Sequence, residues 1–89
     1  MELDIKEDLA KKMVFSLKGE GHTFSNLLAS KIRQNSDTKL ATYRVRHPLL
    51  GTPEFLVETT NSGPRKVLGK AAEDVKKEAE KARKLFEKL

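Results

Sequence analysis

Residues 21–32 read "GHTFSNLLASKI" and stand between two pairs of alternating segments. Phe24, Leu27, Leu28 and Ile32 recur at three-, one- and four-residue steps, one face of a helix. That spacing predicts a helix from about Thr23 to Asn35, ended by the breakers of "QNSD". A helix here divides the chain into strand, strand, helix, strand, strand, helix, and this order decides the fold class. The polar residues at its mouth, His22, Thr23 and Asn26, pose a choice between chemistry and the shaping of a helix start.

Upstream, Leu3 and Ile5, then Met13, Phe15 and Leu17, alternate with polar or outward positions, which predicts strands near residues 2–6 and 12–18. Downstream, "KLATYRVR" at 39–46 sets Leu40, Thr42, Arg44 and Arg46 against Ala41, Tyr43 and Val45, a third strand with one half-polar face. "HPLLGTP" interrupts it, and "EFLVETT" resumes the alternation, so strands three and four form a hairpin with a rigid connection, closed by "NSGP". The economical arrangement is a two-layer α+β domain over residues 1–89. It has a four-stranded, mostly antiparallel sheet with both helices on one face.

From Arg65 onward the chain contains one glycine, Gly69, and no proline. Leu68, Ala72, Val75, Ala79, Ala82, Phe86 and Leu89 follow at alternating steps of four and three. This is a seam of period 3.5, narrower than the stripe with which a helix covers a sheet and suited to packing along another helix. It can cover the chain's own sheet, pair across subunits, or do both.

Composition narrows the function classes. With 89 residues the chain buries roughly 60–65% of its unfolded surface, a marginal fraction that calls for a staple. It has no cysteine, which excludes disulfides, cysteine nucleophiles and Cys-based zinc sites, fits a reducing compartment and leaves oligomerisation as the staple. No stretch approaches the 18 or so apolar residues of a membrane span, so the expectation is a cytoplasmic protein without membrane contact. The net charge of +5 is uneven: residues 1–63 hold nine Lys or Arg against eight Asp or Glu, and residues 64–89 nine against five. In "EDVKKEAEKARK" the signs interleave, the pattern of a solvated helix with pairs such as Glu73–Lys77 and Glu80–Lys84, and no bare basic patch stands out.

Catalytic candidates are few. His22 and His47, the only histidines, fall in separate loops with no nucleophile at a useful spacing. Thr23 or His22 suits an N-cap, Gly19 and Gly21 permit the turn, and Asn26 can bond back toward the cap. "GEG" before "HTF" is no phosphate loop, because Phe24 occupies the third glycine position and no Walker lysine follows. Arg44 and Arg46 beside Tyr43, joined by the lysines of the last helix, would make a stand-alone nucleic-acid-binding module if they converged on one face. Pro48, Leu49 and Leu50, next to His47, put apolar groups in a loop, where they plug the core or meet a partner.

"EGHTFSNLLASKI", then "YRVRHPLLGTPEF", then an alanine-rich last helix, together resemble the archaeal RNA polymerase subunit L family from about Met13 to Leu89. Its relatives are the small α-like subunits of eukaryotic nuclear polymerases. The resemblance implies the dimerisation fold shared with the N-terminal domain of the bacterial α subunit, and a protein with no active site, cofactor or metal of its own. It implies a heterodimer with a larger α-like subunit, D, as the platform on which the catalytic subunits of a DNA-directed RNA polymerase assemble, with no specific nucleic-acid contact. Carried over, His22, Thr23 and Asn26 match the helix-opening motif. Phe24, Leu27, Leu28 and Ile32, with Leu68, Ala72, Val75, Ala79, Ala82 and Phe86, would form the partner interface, and His47–Leu50 the family's loop. Ser25 stands where many relatives have glycine. Ala29 and Ser30 stand where bacterial α has an arginine pair, which implies that the D-like partner supplies docking onto the catalytic subunits.

Overall fold

The computed structural model describes residues 2–19, 21–45 and 51–89. Strands β1 (Glu2–Asp8) and β2 (Lys12–Lys18) precede helix α1 (His22–Gln34), and strands β3 (Thr38–Val45) and β4 (Pro53–Thr59) precede helix α2 (Pro64–Glu87). The element order is the expected one. The strands lie in the order β1-β2-β4-β3, and each neighbouring pair is antiparallel. The two hairpins therefore meet along β2 and β4, where Met13 faces Val57 and Phe15 faces Phe55.

Alternation places one side of each strand inward, as a half-buried strand requires. Met13, Phe15 and Leu17 from β2, Ala41 from β3, and Phe55 and Val57 from β4 are buried with Leu28, Ala29 and Ile32 of α1 and Val67 and Ala71 of α2. Both helices thus cover one face of the sheet. The Phe15 and Phe55 rings stack with centroids 4.9 Å apart and planes 2° from parallel, and Tyr43 continues the stack at 5.3 Å from Phe55. Aromatic pairs of this kind add about 0.5–1.5 kcal/mol beyond their burial.

Local chemistry sets the helix ends. Gly19, at φ 87°, takes a backbone conformation that side-chain-bearing residues avoid and turns the chain out of β2. The N-cap of α1 is Gly21 in extended backbone, with no side chain bonded to the cap. The expectation that Thr23 or His22 caps the helix is corrected: both lie inside its first turn, and the first backbone bond runs from Ser25 N–H to the Gly21 carbonyl at 3.1 Å. At the other end Lys31 and Arg33 complement the helix dipole, and the Thr38 hydroxyl donates to the Ile32 carbonyl at 2.7 Å. Helix α2 starts at Pro64, which suits a first turn because its missing N–H costs nothing there.

Candidate dimerisation surface

The 24 residues of α2 span about 36 Å, and only the first half rests on the molecule. Pro64, Val67 and Ala71 are buried, and Leu68 and Val75 are half-buried against the core. Beyond Val75 every residue of the helix is exposed, about three turns in all. At 100° per residue, Leu68, Val75, Ala82 and Phe86 lie within about 40° of one another. The face that packs Leu68 and Val75 onto this chain's own sheet therefore continues into solvent at Ala82 and Phe86. Phe86 is 72% exposed, and Leu85 beside it 67%.

The residues expected at a partner surface divide into two groups. Leu28 and Ile32 are enclosed by the chain's own sheet and helices, at 4% and 0% exposure. In the lone chain these two residues of the α1 stripe are core side chains and not surface ones. Phe24 is half-buried against the core, and Leu27 is exposed. On α2, Ala72, Ala79, Ala82 and Phe86 are exposed, while Leu68 and Val75 are shared between core and surface. His22, Thr23 and Asn26 are exposed at the mouth of α1. His47, Pro48, Leu49 and Leu50 lie outside the described residues. Leu85 escaped the sequence reading, although its steps of three from Ala82 and four to Leu89 are helical, because the strict seam passes through Phe86.

Among the described residues the His22 ring meets Tyr43. Its Nδ1 lies 2.7 Å from the Tyr43 hydroxyl, a hydrogen bond that ties the first turn of α1 to β3. Lys31 pairs with Glu78, fixing α1 to the middle of α2, and Arg33 Nε donates to the Ala41 carbonyl at 2.8 Å. A further tie lies at the far end of α1. Asp37 accepts the backbone N–H of Asn61 at 2.8 Å and of Ser62 at 2.5 Å, and its carbonyl accepts Thr60 N–H at 2.9 Å. Burial pushes this carboxyl up, but the Ser62 and Asn61 N–H groups, the Ser62 side chain and the charge of Lys11 together bring it below the usual carboxylate value. One carboxylate thus holds the turn that follows α1 against the turn that opens α2.

Winding the last segment into a helix sorts its charges. Lys66, Lys70, Lys77, Lys81 and Lys84 fall within about 60° of one another, opposite the Leu68–Phe86 face, and all are exposed. The basic patch that the linear sequence hides is therefore present. Arg44 does not join it: it lies on the sheet face turned away from the helices, near Glu54 at 3.9 Å. The convergence that a nucleic-acid-binding module requires is not formed by the described residues; Arg46 lies outside them. Neither Glu73–Lys77 nor Glu80–Lys84 closes; the i,i+4 pair of α2 is Arg83–Glu87 at 3.7 Å. Among the described residues no helix is long and apolar enough to cross a membrane.

The model of the RNA polymerase Rpb3/Rpb11 dimerisation domain matches residues 12–85. The DNA-directed RNA polymerase subunit Rpo11 of Archaeoglobus fulgidus is 36% identical over 73 residues, covering 82% of this chain and 81% of that protein. Rpo11 of Methanothermobacter thermautotrophicus is 30% identical over 98% of this chain and 100% of its own length, and that of Pyrococcus abyssi 33% over 99% and 96%. The crystal structure of DNA-directed RNA polymerase subunit L from Thermoplasma acidophilum shares the fold, with a TM-score of 0.85 over 98% of this chain and 86% of that one at 18% identity. By the extent of the family match and the length over which Rpo11 proteins align, this chain belongs to the RNA polymerase Rpb3/Rpb11 dimerisation-domain family.

Proposed function

We propose that this chain is a non-catalytic assembly subunit of a cytoplasmic DNA-directed RNA polymerase of the archaeal type. It pairs with a larger α-like subunit, D, and the pair forms the platform on which the catalytic subunits assemble. The observation that carries this reading is the exposed run of Ala79, Ala82, Leu85 and Phe86 on a part of α2 that covers nothing of its own chain. A protein of this size leaves such a face in water only at a cost, since burying one side chain as large as Phe86 is worth roughly 1.5–3 kcal/mol. The interface assigned to D combines that run with Ala72 and the outer edges of Leu68 and Val75, and with Leu27 and Phe24 of α1. Ala79 and Ala82 allow a partner helix to approach closely.

His22, Thr23 and Asn26 belong to the mouth of α1 and take no chemical part. A standard interface buries roughly 800 Å² per partner, about an eighth of the 6313 Å² that this chain exposes. The test is to co-express the chain with the α-like subunit of the same source and to measure the dissociation constant for wild type and Phe86→Ala. Undiminished pairing of the variant, or no pairing of wild type, sinks the reading.

A further inference from the structure

The exposed face of α2 has a charged flank on each side, and the two differ in what they already bind. On one side stands Glu78, held by Lys31 of α1. On the other stand Lys76 and Arg83, seven residues apart and therefore in one row along the helix. Arg83 reaches only Glu87, at 3.7 Å, with both side chains largely in water. Lys76 has no carboxylate within ion-pair distance among the described residues. An exposed pair inside one helix is worth only about 0.3–0.5 kcal/mol, so Arg83 is readily drawn to a better partner.

A row of this kind, beside an apolar seam, is the position from which charges choose the neighbouring helix. We propose that Lys76 and Arg83 select the partner of this surface: they call for a partner helix with carboxylates beside its seam, and they oppose pairing of α2 with a second copy of itself. This inference rests on the reading that the exposed face of α2 is the seam of the subunit pair. The second half follows from symmetry. Two copies of α2 packed antiparallel are related by a two-fold axis across the helices, which brings the same flank of each copy together. Lys76 and Arg83 would then face Lys76 and Arg83, and like charges brought beside an apolar contact oppose it. A partner with Glu or Asp in the facing row removes the repulsion and adds attraction. The lysines on the far side of the helix are too remote from the seam to change this choice.

The test measures the dissociation constant of the full chain with the larger α-like subunit of the same source, at low and at high salt. Wild type, Lys76→Glu/Arg83→Glu and Phe86→Ala are compared. Wild-type pairing should weaken as salt rises, because screening removes attraction. The double reversal should pair at least tenfold more weakly at low salt and should tighten as salt rises, since screening now removes repulsion. Its lone chain should lose a little helix, because the reversed charges meet Glu73, Glu80 and Glu87 at i,i+3 and i,i+4 spacing and the Arg83–Glu87 pair is gone. Lys76→Gln/Arg83→Gln, which adds no like charge, is therefore measured beside it and should lose the salt dependence of pairing. Wild-type affinity and salt dependence in the double reversal, together with lost pairing in Phe86→Ala, would overturn the charge selection while leaving the seam intact. Undiminished pairing of Phe86→Ala would instead overturn the seam and the inference with it. Antiparallel self-association of wild type through α2 at micromolar concentration, detected by cross-linking at introduced cysteines, would overturn the second half.

Discussion

The Asp37 carboxylate accepts the Ser62 backbone N–H at 2.5 Å across 25 residues of chain, and by this bond the end of α1 holds the beginning of α2. A charge therefore helps to hold the turn after α1 against the turn that opens α2, beside the core packing of both helices. The folded chain keeps that carboxyl below its ordinary value of 3.8. A group lowered by folding contributes stability that is fully present above its unfolded value and is lost as pH falls through the folded one. Melting temperatures of wild type and Asp37→Asn should therefore differ by a constant amount from about pH 5 upward and converge below the usual carboxylate range. Parallel curves down to pH 2 would show that the Asp37 charge is not the cause.

Leu28→Ala and Phe86→Ala should separate core from surface. Leu28 is buried, and truncating a buried leucine typically costs about 2–5 kcal/mol of folding stability. Phe86→Ala should leave the unfolding free energy of the lone chain in urea within about 0.5 kcal/mol of wild type. It should weaken pairing over tenfold, since truncation of a central anchor costs about 2 kcal/mol or more of binding. A Phe86→Ala chain that unfolds as readily as Leu28→Ala would make Phe86 part of the core.

Ser25 is fully buried, and its Oγ has no hydrogen-bond partner among the described residues. A buried hydroxyl left unbonded costs about 1–3 kcal/mol. Ser25→Ala keeps the Cβ, improves helix propensity and removes that cost, so it should raise the melting temperature. A fall of several degrees would indicate that a bound water completes the site.

His22→Gln should leave nucleotide addition by the assembled enzyme unchanged, because the hydrogen-bonding neighbour of its side chain among the described residues is the Tyr43 hydroxyl, which a glutamine can also engage. The lone chain should lose no more than about 1 kcal/mol, the net worth of one exposed hydrogen bond. Turnover by the reconstituted polymerase, measured at equal assembly, checks this.

The strands and α1 were legible because their cues are local. Phe15 and Phe55 sit in two-residue alternations, and Leu28 and Ile32 in a helical one, so each carries its own evidence of facing a core. The cap at Gly21 was not legible: preferred N-cap side chains suggested Thr23, but the turn out of β2 places the backbone of Gly21 there. On α2 the strict seam ran through Leu68 and Ala72, while the structure buries Val67 and Ala71. The first half of the helix is covered by both the sheet and α1, and periodicity records only the average face of the whole helix. Pairing between the sequence signs obscured the lysine row for a related reason: interleaving along a chain becomes segregation around a helix. Asp37 gave no signal at all, because its partners are backbone groups of a distant turn.

The unsupported turns of α2 make the chain a reporter of its own assembly state. A helix segment of about twelve residues, tied to the rest of the chain only near its start by the Lys31–Glu78 pair, is marginal in water and frays. Its amides from Lys76 to Glu87 should exchange with solvent rapidly in the lone chain, and trypsin should cut first among Lys77, Lys81, Arg83 and Lys84, well before the sheet opens. Once a partner lies on Ala82 and Phe86 the same bonds close together. Trypsin sensitivity of this lysine-rich end should therefore fall on pairing, so that limited proteolysis reads the paired fraction of the chain directly.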